Sequence, residues 1–232
     1  MEHKSDAAQA TASSASPTGD PWLLTPGPLT TSPAVKAAMQ HDFGSRDHHL
    51  IAMNKRMRER LVEIVHGQGT HVCVPLQGSG TFVVEAMVGT FVPRDGKLLV
   101  LVNGAYGQRI ARICDYMGRA CETLEWAENE PVDPDALDKT LAADAAITHV
   151  AVIHCETTTG ILNPVAEVAQ VVASHDKRLL IDSMSAFGAL EIDAREIPFD
   201  AVVASSNKCL EATPGLGFCV ARQAAVEQTK GN

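Results

Sequence analysis

Five short segments, each just after an apolar run, carry side chains able to do chemistry. Gln77-Gly78-Ser79-Gly80-Thr81 follows the run 71–75 and leads into FVVEAMVGTF. Small residues at a helix start leave backbone N–H groups open, and the helix dipole favours an anion there. The same stretch also reads as a tight turn with an N-cap. It is neither G-x-x-x-x-G-K-S/T nor G-x-G-x-x-G, so the usual ATP and NAD fingerprints are missing. Asn103-Gly104-Ala105-Tyr106 follows 98–102 and puts one of two tyrosines where it stacks on a flat ligand or caps the sheet edge. Cys155-Glu156-Thr157-Thr158-Thr159 follows 149–154, with three hydroxyls that bond a ligand or cap a turn. The run 178–182 ends in Asp182, and a carboxylate closing an apolar strand is costly to desolvate unless a cation or strong donor faces it. Ser206-Asn207-Lys208 follows 201–205, and its Lys either reaches the same crevice or lies on the surface. The set comprises an anion cradle, an aromatic plate, hydroxyls, a carboxylate and an amine. Pyridoxal phosphate asks for such a set: helix N-terminus for phosphate, plate for ring, carboxylate for pyridine nitrogen, Lys for a Schiff base with the aldehyde. The separation of Asp182 and Lys208, 208 − 182 = 26 residues, fits one crossover between neighbouring strands.

Such a constellation needs elements that bring distant segments together. Short apolar strands are expected at 71–75, 98–102, 121–126, 149–154, 178–182, 201–205 and 217–221, with helices near 80–91, 107–117, 134–143 and 164–175. Most strands are apolar on both faces, which indicates a buried, mainly parallel sheet with helices on both faces: an α/β domain over 71–232. Ligands in such sheets sit outside the carboxyl ends of the strands. Residues 21–70 read as an N-terminal arm, broken by Pro26, Gly27 and Pro28, followed by helices at 33–41 and 50–66. Residues 1–20 are small and polar and read as a disordered leader, with neither a signal peptide's apolar segment nor any Arg.

The chain has 232 residues, 45% hydrophobic and 20% charged, with a net charge of −9. That is ordinary globular composition. The acidic balance speaks against a nucleic-acid partner, and the short apolar runs speak against a membrane span. The six cysteines lack C-x-x-C spacing and read as reduced thiols of a cytoplasmic protein. The nine scattered histidines suggest no metal site.

The stretches LLTPGPLTTS (23–32), VPLQGSGTFVVEA (74–86), NGAYGQR (103–109), HCETTTGILNP (154–164), IDSMSAFGAL (181–190) and SSNKCLEATPG (205–215) occur in this order. In them the chain resembles the 2-aminoethylphosphonate–pyruvate transaminases, within the fold-type I pyridoxal-phosphate enzymes that include alanine–glyoxylate transaminase. The resemblance implies the large domain of such an enzyme, moving an amino group from 2-aminoethylphosphonate to pyruvate in phosphonate degradation. The alternatives are a related aminotransferase of the alanine/serine–glyoxylate type or a non-catalytic cofactor-binding fragment. By resemblance, Lys208 is the Schiff-base lysine and acid–base group, Asp182 the pyridinium partner and Tyr106 the stacking ring. Ser79, Gly80 and Thr81 form the phosphate loop. Thr157 lies near the ring oxygen, Met184 covers the other ring face, and Asn207 contacts the phosphate. A homodimer is implied, with an amino donor and a keto acid as substrates. The resemblance further implies a C-terminal small domain beyond residue 232, so the present chain is expected to lack it. The family pattern also has Gly where this chain has Ala212.

Overall fold

A computed structural model of the chain describes residues 16–232. Most of the expected leader, residues 1–15, lies outside the described residues. Residues 16–20 differ from that expectation: they make a turn, with the Ser16 N–H donating to the Asp20 carbonyl at 2.8 Å, and Asp20 pairs with Lys36.

The helices α1 (Pro33–Ala38) and α2 (His48–Ile64) come first. Ser32 caps α1, accepting from the Val35 N–H, and Pro33 fits the first turn, where no N–H is needed. Asp47 caps α2 through the His49 N–H. Seven strands follow: β1 (His71–Gln77), β2 (Lys97–Val102), β3 (Ala120–Glu125), β4 (Ile147–Ile153), β5 (Arg178–Asp182), β6 (Ala201–Ser205) and β7 (Leu216–Arg222). Between them run α3 (Gly80–Phe91), α4 (Ala105–Met117), α5 (Pro134–Ala143) and α6 (Val165–Ser174), and a short α7 (Gln223–Glu227) follows β7. The short α7 was not anticipated.

The strands form one sheet in the order β1-β7-β6-β5-β4-β2-β3. The pairings among β6, β5, β4, β2 and β3 are parallel, and β7 runs antiparallel to both β6 and β1. Strands β2, β4, β5 and β6 are almost wholly buried. This is the sequence expectation of strands apolar on both faces. The edge strand β3 is mostly exposed, which its Glu122, Thr123 and Glu125 tolerate.

Alternation along each strand divides the core. Leu99, Leu101, Leu179, Ile181, Val202 and Ala204 pack with α2, α5 and α6 on one face. Leu98, Val100, Leu180, Ala201 and Val203 pack with α3 and α4 on the other. By the same period of two, Asp182 follows Leu180 and Ser205 follows Val203, so both point to the α3–α4 face. The carboxyl ends of β1, β2, β4, β5 and β6 all lie along one edge.

Near the amino end of β4, His149 is buried, with Nδ1 2.9 Å from the Thr148 hydroxyl. Burial pulls its pKa down to about 4, opposed by the Asp200 charge and aided by Arg178. The unfolded chain therefore takes up a proton near pH 6.5 that the folded chain refuses until about pH 4. Stability from this group is complete above pH 6.5 and is lost as pH falls toward 4, a difference of about 3 kcal/mol. Thermal melts should show His149→Gln losing less stability than the parent between pH 6.5 and 4. Equal slopes would contradict the assignment.

Candidate active site

Where β5 ends, Asp182 turns into the gap between α3 and α4. It is nearly inaccessible to solvent, and one oxygen, Oδ1, accepts from the Met184 N–H at 3.0 Å. Among the described residues that is the carboxylate's one hydrogen bond. Burial pushes its pKa up to about 6, with the Met184 N–H pulling it down, Glu156 pushing it up, and Arg109 and Lys208 pulling it down. The carboxylate lines a cavity of about 480 Å³, a size suited to a small ligand.

That cavity brings together every expected site residue: Ser79, Gly80, Thr81, Tyr106, Thr157, Asp182, Met184, Asn207 and Lys208 all line it. Ser79 caps α3, its Oγ accepting from the Phe82 N–H at 3.3 Å. Its hydroxyl proton is free to donate as well. Gly78, at φ +138°, turns the chain from β1 into this cap, and its N–H donates to the Gly215 carbonyl at 2.9 Å. A Cβ on Gly80 would come within 2.8 Å of the Met184 sulfur, so the glycine lets Met184 lie against the helix start.

Three further contributors lie in segments quoted from the sequence but had no role assigned there. Arg109, one turn along α4, lines the cavity and sets its guanidinium carbon 4.4 Å from the centre of the Tyr106 ring. Its Nη1 also donates to the Thr81 hydroxyl at 3.2 Å, joining the first turn of α3 to α4. Glu156 is fully buried. Its Oε2 accepts from the Tyr106 N–H at 3.3 Å, and its Oε1 accepts from the Thr158 N–H at 3.2 Å and hydroxyl at 2.8 Å. It thereby caps α4, whose own N-cap residue, Gly104, supplies no side chain. A Cβ at Gly104 would stand 2.4 Å from the Glu156 Cγ, so glycine and carboxylate require each other. The third is Gly27, whose carbonyl accepts from Lys208 Nζ at 3.3 Å.

Beneath the cavity, the strand ends are tied by polar pairs. Asn103 after β2 and Asn163 before α6 exchange amide hydrogen bonds at 2.8 and 3.2 Å, and Asn163 also donates to the Ile153 carbonyl. His154 Nδ1 lies 3.0 Å from the Ser183 hydroxyl, and burial lowers its pKa to about 4. After β6, the Ser206 hydroxyl donates to the Thr213 carbonyl at 2.6 Å and the Ala212 N–H donates to the Ser206 carbonyl at 2.9 Å. These two bonds close the loop that carries Lys208.

The chain matches the family described as Aminotransferase class-V over residues 31–231. It is 58% identical over 212 residues to 2-aminoethylphosphonate–pyruvate transaminase 2 of Burkholderia lata, covering 91% of this chain and 56% of that protein. It is 59% identical over 218 residues to 2-aminoethylphosphonate–pyruvate transaminase 1 of a Polaromonas species, covering 93% and 58%. The chain thus spans a little more than half the length of these curated relatives. Pyridoxamine–pyruvate aminotransferase from Mesorhizobium loti superposes with a TM-score of 0.83 at 26% identity, over 90% of this chain and 53% of that one. Aspartate aminotransferase from Thermus thermophilus gives 0.83 at 26%, over 91% and 60%.

Removing the Glu156 carboxylate strands the buried N–H groups that it receives. Glu156→Ala should therefore cost about 2–3 kcal/mol in urea denaturation, whereas Glu156→Gln, which keeps an acceptor oxygen, should cost about 1. Similar small losses in both would show that Glu156 does not hold α4.

Proposed function

We propose, for a chain that belongs to the Aminotransferase class-V family, that it forms the cofactor-binding part of an enzyme moving the amino group of 2-aminoethylphosphonate to pyruvate. The products are phosphonoacetaldehyde and alanine. The observation that carries the reading is the pairing of a buried acid, Asp182, and an amine, Lys208, in one cavity at the sheet edge. The identity of 58–59% to curated 2-aminoethylphosphonate–pyruvate transaminases supports this donor and acceptor over an alanine–glyoxylate pair.

The residues fit pyridoxal phosphate. A carboxylate pushed up to about 6 by burial, with one hydrogen bond from the protein, has room for a cationic N–H. The start of α3 offers backbone N–H groups where Gly80 carries no side chain, and the Ser79 and Thr81 hydroxyls stand beside them. When bound, the cofactor supplies an electron sink and an aldehyde carbon for exchanging amines.

Each side chain then has a defined task. Asp182 holds the proton on the ring nitrogen and keeps the ring cationic. Lys208 would be the amine that holds the aldehyde carbon, and its Nζ would take a proton from one substrate carbon and return it to another. Tyr106 supports one ring face, and Arg109 lies against that tyrosine. Met184 would cover the opposite face, Thr157 would donate to the ring oxygen, and Asn207 would join Ser79, Gly80 and Thr81 in holding the phosphate. His154, neutral and buried, orients Ser183 next to Asp182 without adding charge.

The reading includes a homodimer in the cytoplasm. Trp22, Leu24, Met39 and Ile51 of the arm and first helices are exposed, with Leu24 at 94%, and a second copy would cover such a surface. Six free thiols suit a reducing compartment. Among the described residues, no helix is long and apolar enough to cross a membrane.

Two outcomes check the reading. Incubation with pyridoxal phosphate, then borohydride, should place the pyridoxyl group on Lys208. Turnover should be faster with 2-aminoethylphosphonate plus pyruvate than with alanine plus glyoxylate. A label on another lysine, or the reverse preference, would overturn it. Asp182→Asn should keep the fold and lower turnover by about two or more orders of magnitude, the scale of a lost charge contact in the transition state. In the parent, cofactor affinity should also weaken as pH drops below about 6, because the free carboxylate is then protonated. The Asn variant should lack that limb in a spectroscopic titration.

A further inference from the structure

We propose that Gly27, on the N-terminal arm, is a positioning residue for Lys208. Its carbonyl oxygen is the seat of the unbonded Nζ, and its missing side chain leaves the channel through which the lysine stem runs. This role rests on the reading of Lys208 given above.

Two independent features meet at this point. Lys208 Nζ donates to the Gly27 carbonyl at 3.3 Å across 181 residues of sequence. A Cβ on Gly27 would lie 2.3 Å from Lys208 Cδ, 3.1 Å from Cε and 3.0 Å from the Asn207 carbonyl oxygen. At φ +140°, the backbone of residue 27 is also one that side chains rarely allow. Space and backbone geometry therefore both demand glycine, and what they make room for is the lysine stem.

The arm is built to hold that carbonyl in place. The Thr25 hydroxyl donates to the Pro28 carbonyl at 3.0 Å and accepts from the Gly27 N–H at 3.2 Å, so it spans the turn on both sides of the glycine. The Thr30 hydroxyl braces the arm a second time, accepting from the Leu23 N–H at 2.7 Å and donating to the Pro21 carbonyl at 2.9 Å. Apolar burial contributes little, because Leu23 and Leu24 are exposed. Polar braces and the contact with Lys208 thus fix the strap over the site.

A lysine has four rotatable bonds and much rotamer freedom to lose. A catalytic amine that leaves one carbon and must reach another benefits from a fixed resting point. A neutral carbonyl is a suitable one. It accepts a single hydrogen bond and brings no counter-charge, so it orders Nζ without trapping it as a carboxylate would.

The test uses cofactor-free protein and acetylation by a small activated ester, with the exposed Lys55 as internal reference. In Gly27→Ala, the ratio of Lys208 to Lys55 acetylation should rise about 2–10-fold, the factor corresponding to one lost hydrogen bond. Thr25→Val, which removes the brace without touching Lys208, should raise the ratio in the same direction. Thr25→Ser, which keeps the hydroxyl, should match the parent. If Gly27→Ala does not fold, the Thr25 pair decides. An unchanged ratio in folded Gly27→Ala, or in Thr25→Val, would overturn the role of Gly27. Because the ratio is read without cofactor, it stands apart from the borohydride label: a label on another lysine would sink the functional reading and leave the acetylation result standing.

Discussion

A carboxylate can close a buried strand only if the fold reserves a cation or a strong donor for it, and Asp182 imposes that condition on this sheet. β5 is hydrogen-bonded on both sides, by β4 and β6, so its end cannot drift toward water. The period of two sends the side chain to the face of α3 and α4, where Val84 and Ile110 also line the space beside it. The protein itself offers Oδ1 one N–H. The carboxylate's remaining lone pairs face the cavity that it lines, and the other elements of the edge are arranged about that space.

Close approaches do much of the arranging. The start of α4 is held by Glu156, which arrives from the far end of β4, and Gly104 leaves room for it. The β7 strand comes against α3 because Gly217 has no side chain; a Cβ there would meet Val83 at 2.1 Å. Those two glycines decide how near helix and sheet can come, and so how wide the cavity is between α3, α4 and the strand ends. Ala212 lies in the loop closed by the Ser206 carbonyl, and its N–H donates to that carbonyl with the methyl group in place.

Much of this was legible from local pattern. Runs such as LLVLV and AVVAS are apolar at every position, and they lie at the centre of the sheet as such runs must. Ser79 and Asp182 were recognisable because their chemistry depends on position within one element, a helix start and a strand end. Glu156, Arg109 and Gly27 were not, because each acts through a partner 28 or more residues away: 156 − 106 = 50, 109 − 81 = 28 and 208 − 27 = 181. The order β4-β2-β3, in which a later strand inserts beside an earlier one, is likewise unreadable from spacing. The turn at residues 16–20 lies within the stretch whose composition reads as a leader, because composition is silent about a tether, and Lys36 tethers the turn through Asp20.

The chain's net charge of −9 would repel an anionic ligand if charge were spread evenly. It is not spread evenly. Lys208 and Arg109 line the cavity, the amino end of α3 points toward it, and the acids nearest to it, Asp182 and Glu156, are both buried. Glu156 is occupied by three hydrogen bonds from Tyr106 and Thr158, which spread its charge over donors within the protein. The cations reach the cavity on long side chains, whereas the carboxylates lie back at the sheet edge. The arrangement suits a ligand that is anionic at one end and cationic at the other. That ordering follows from where side chains end, and an acidic protein can present a cationic mouth in this way without changing its overall sign.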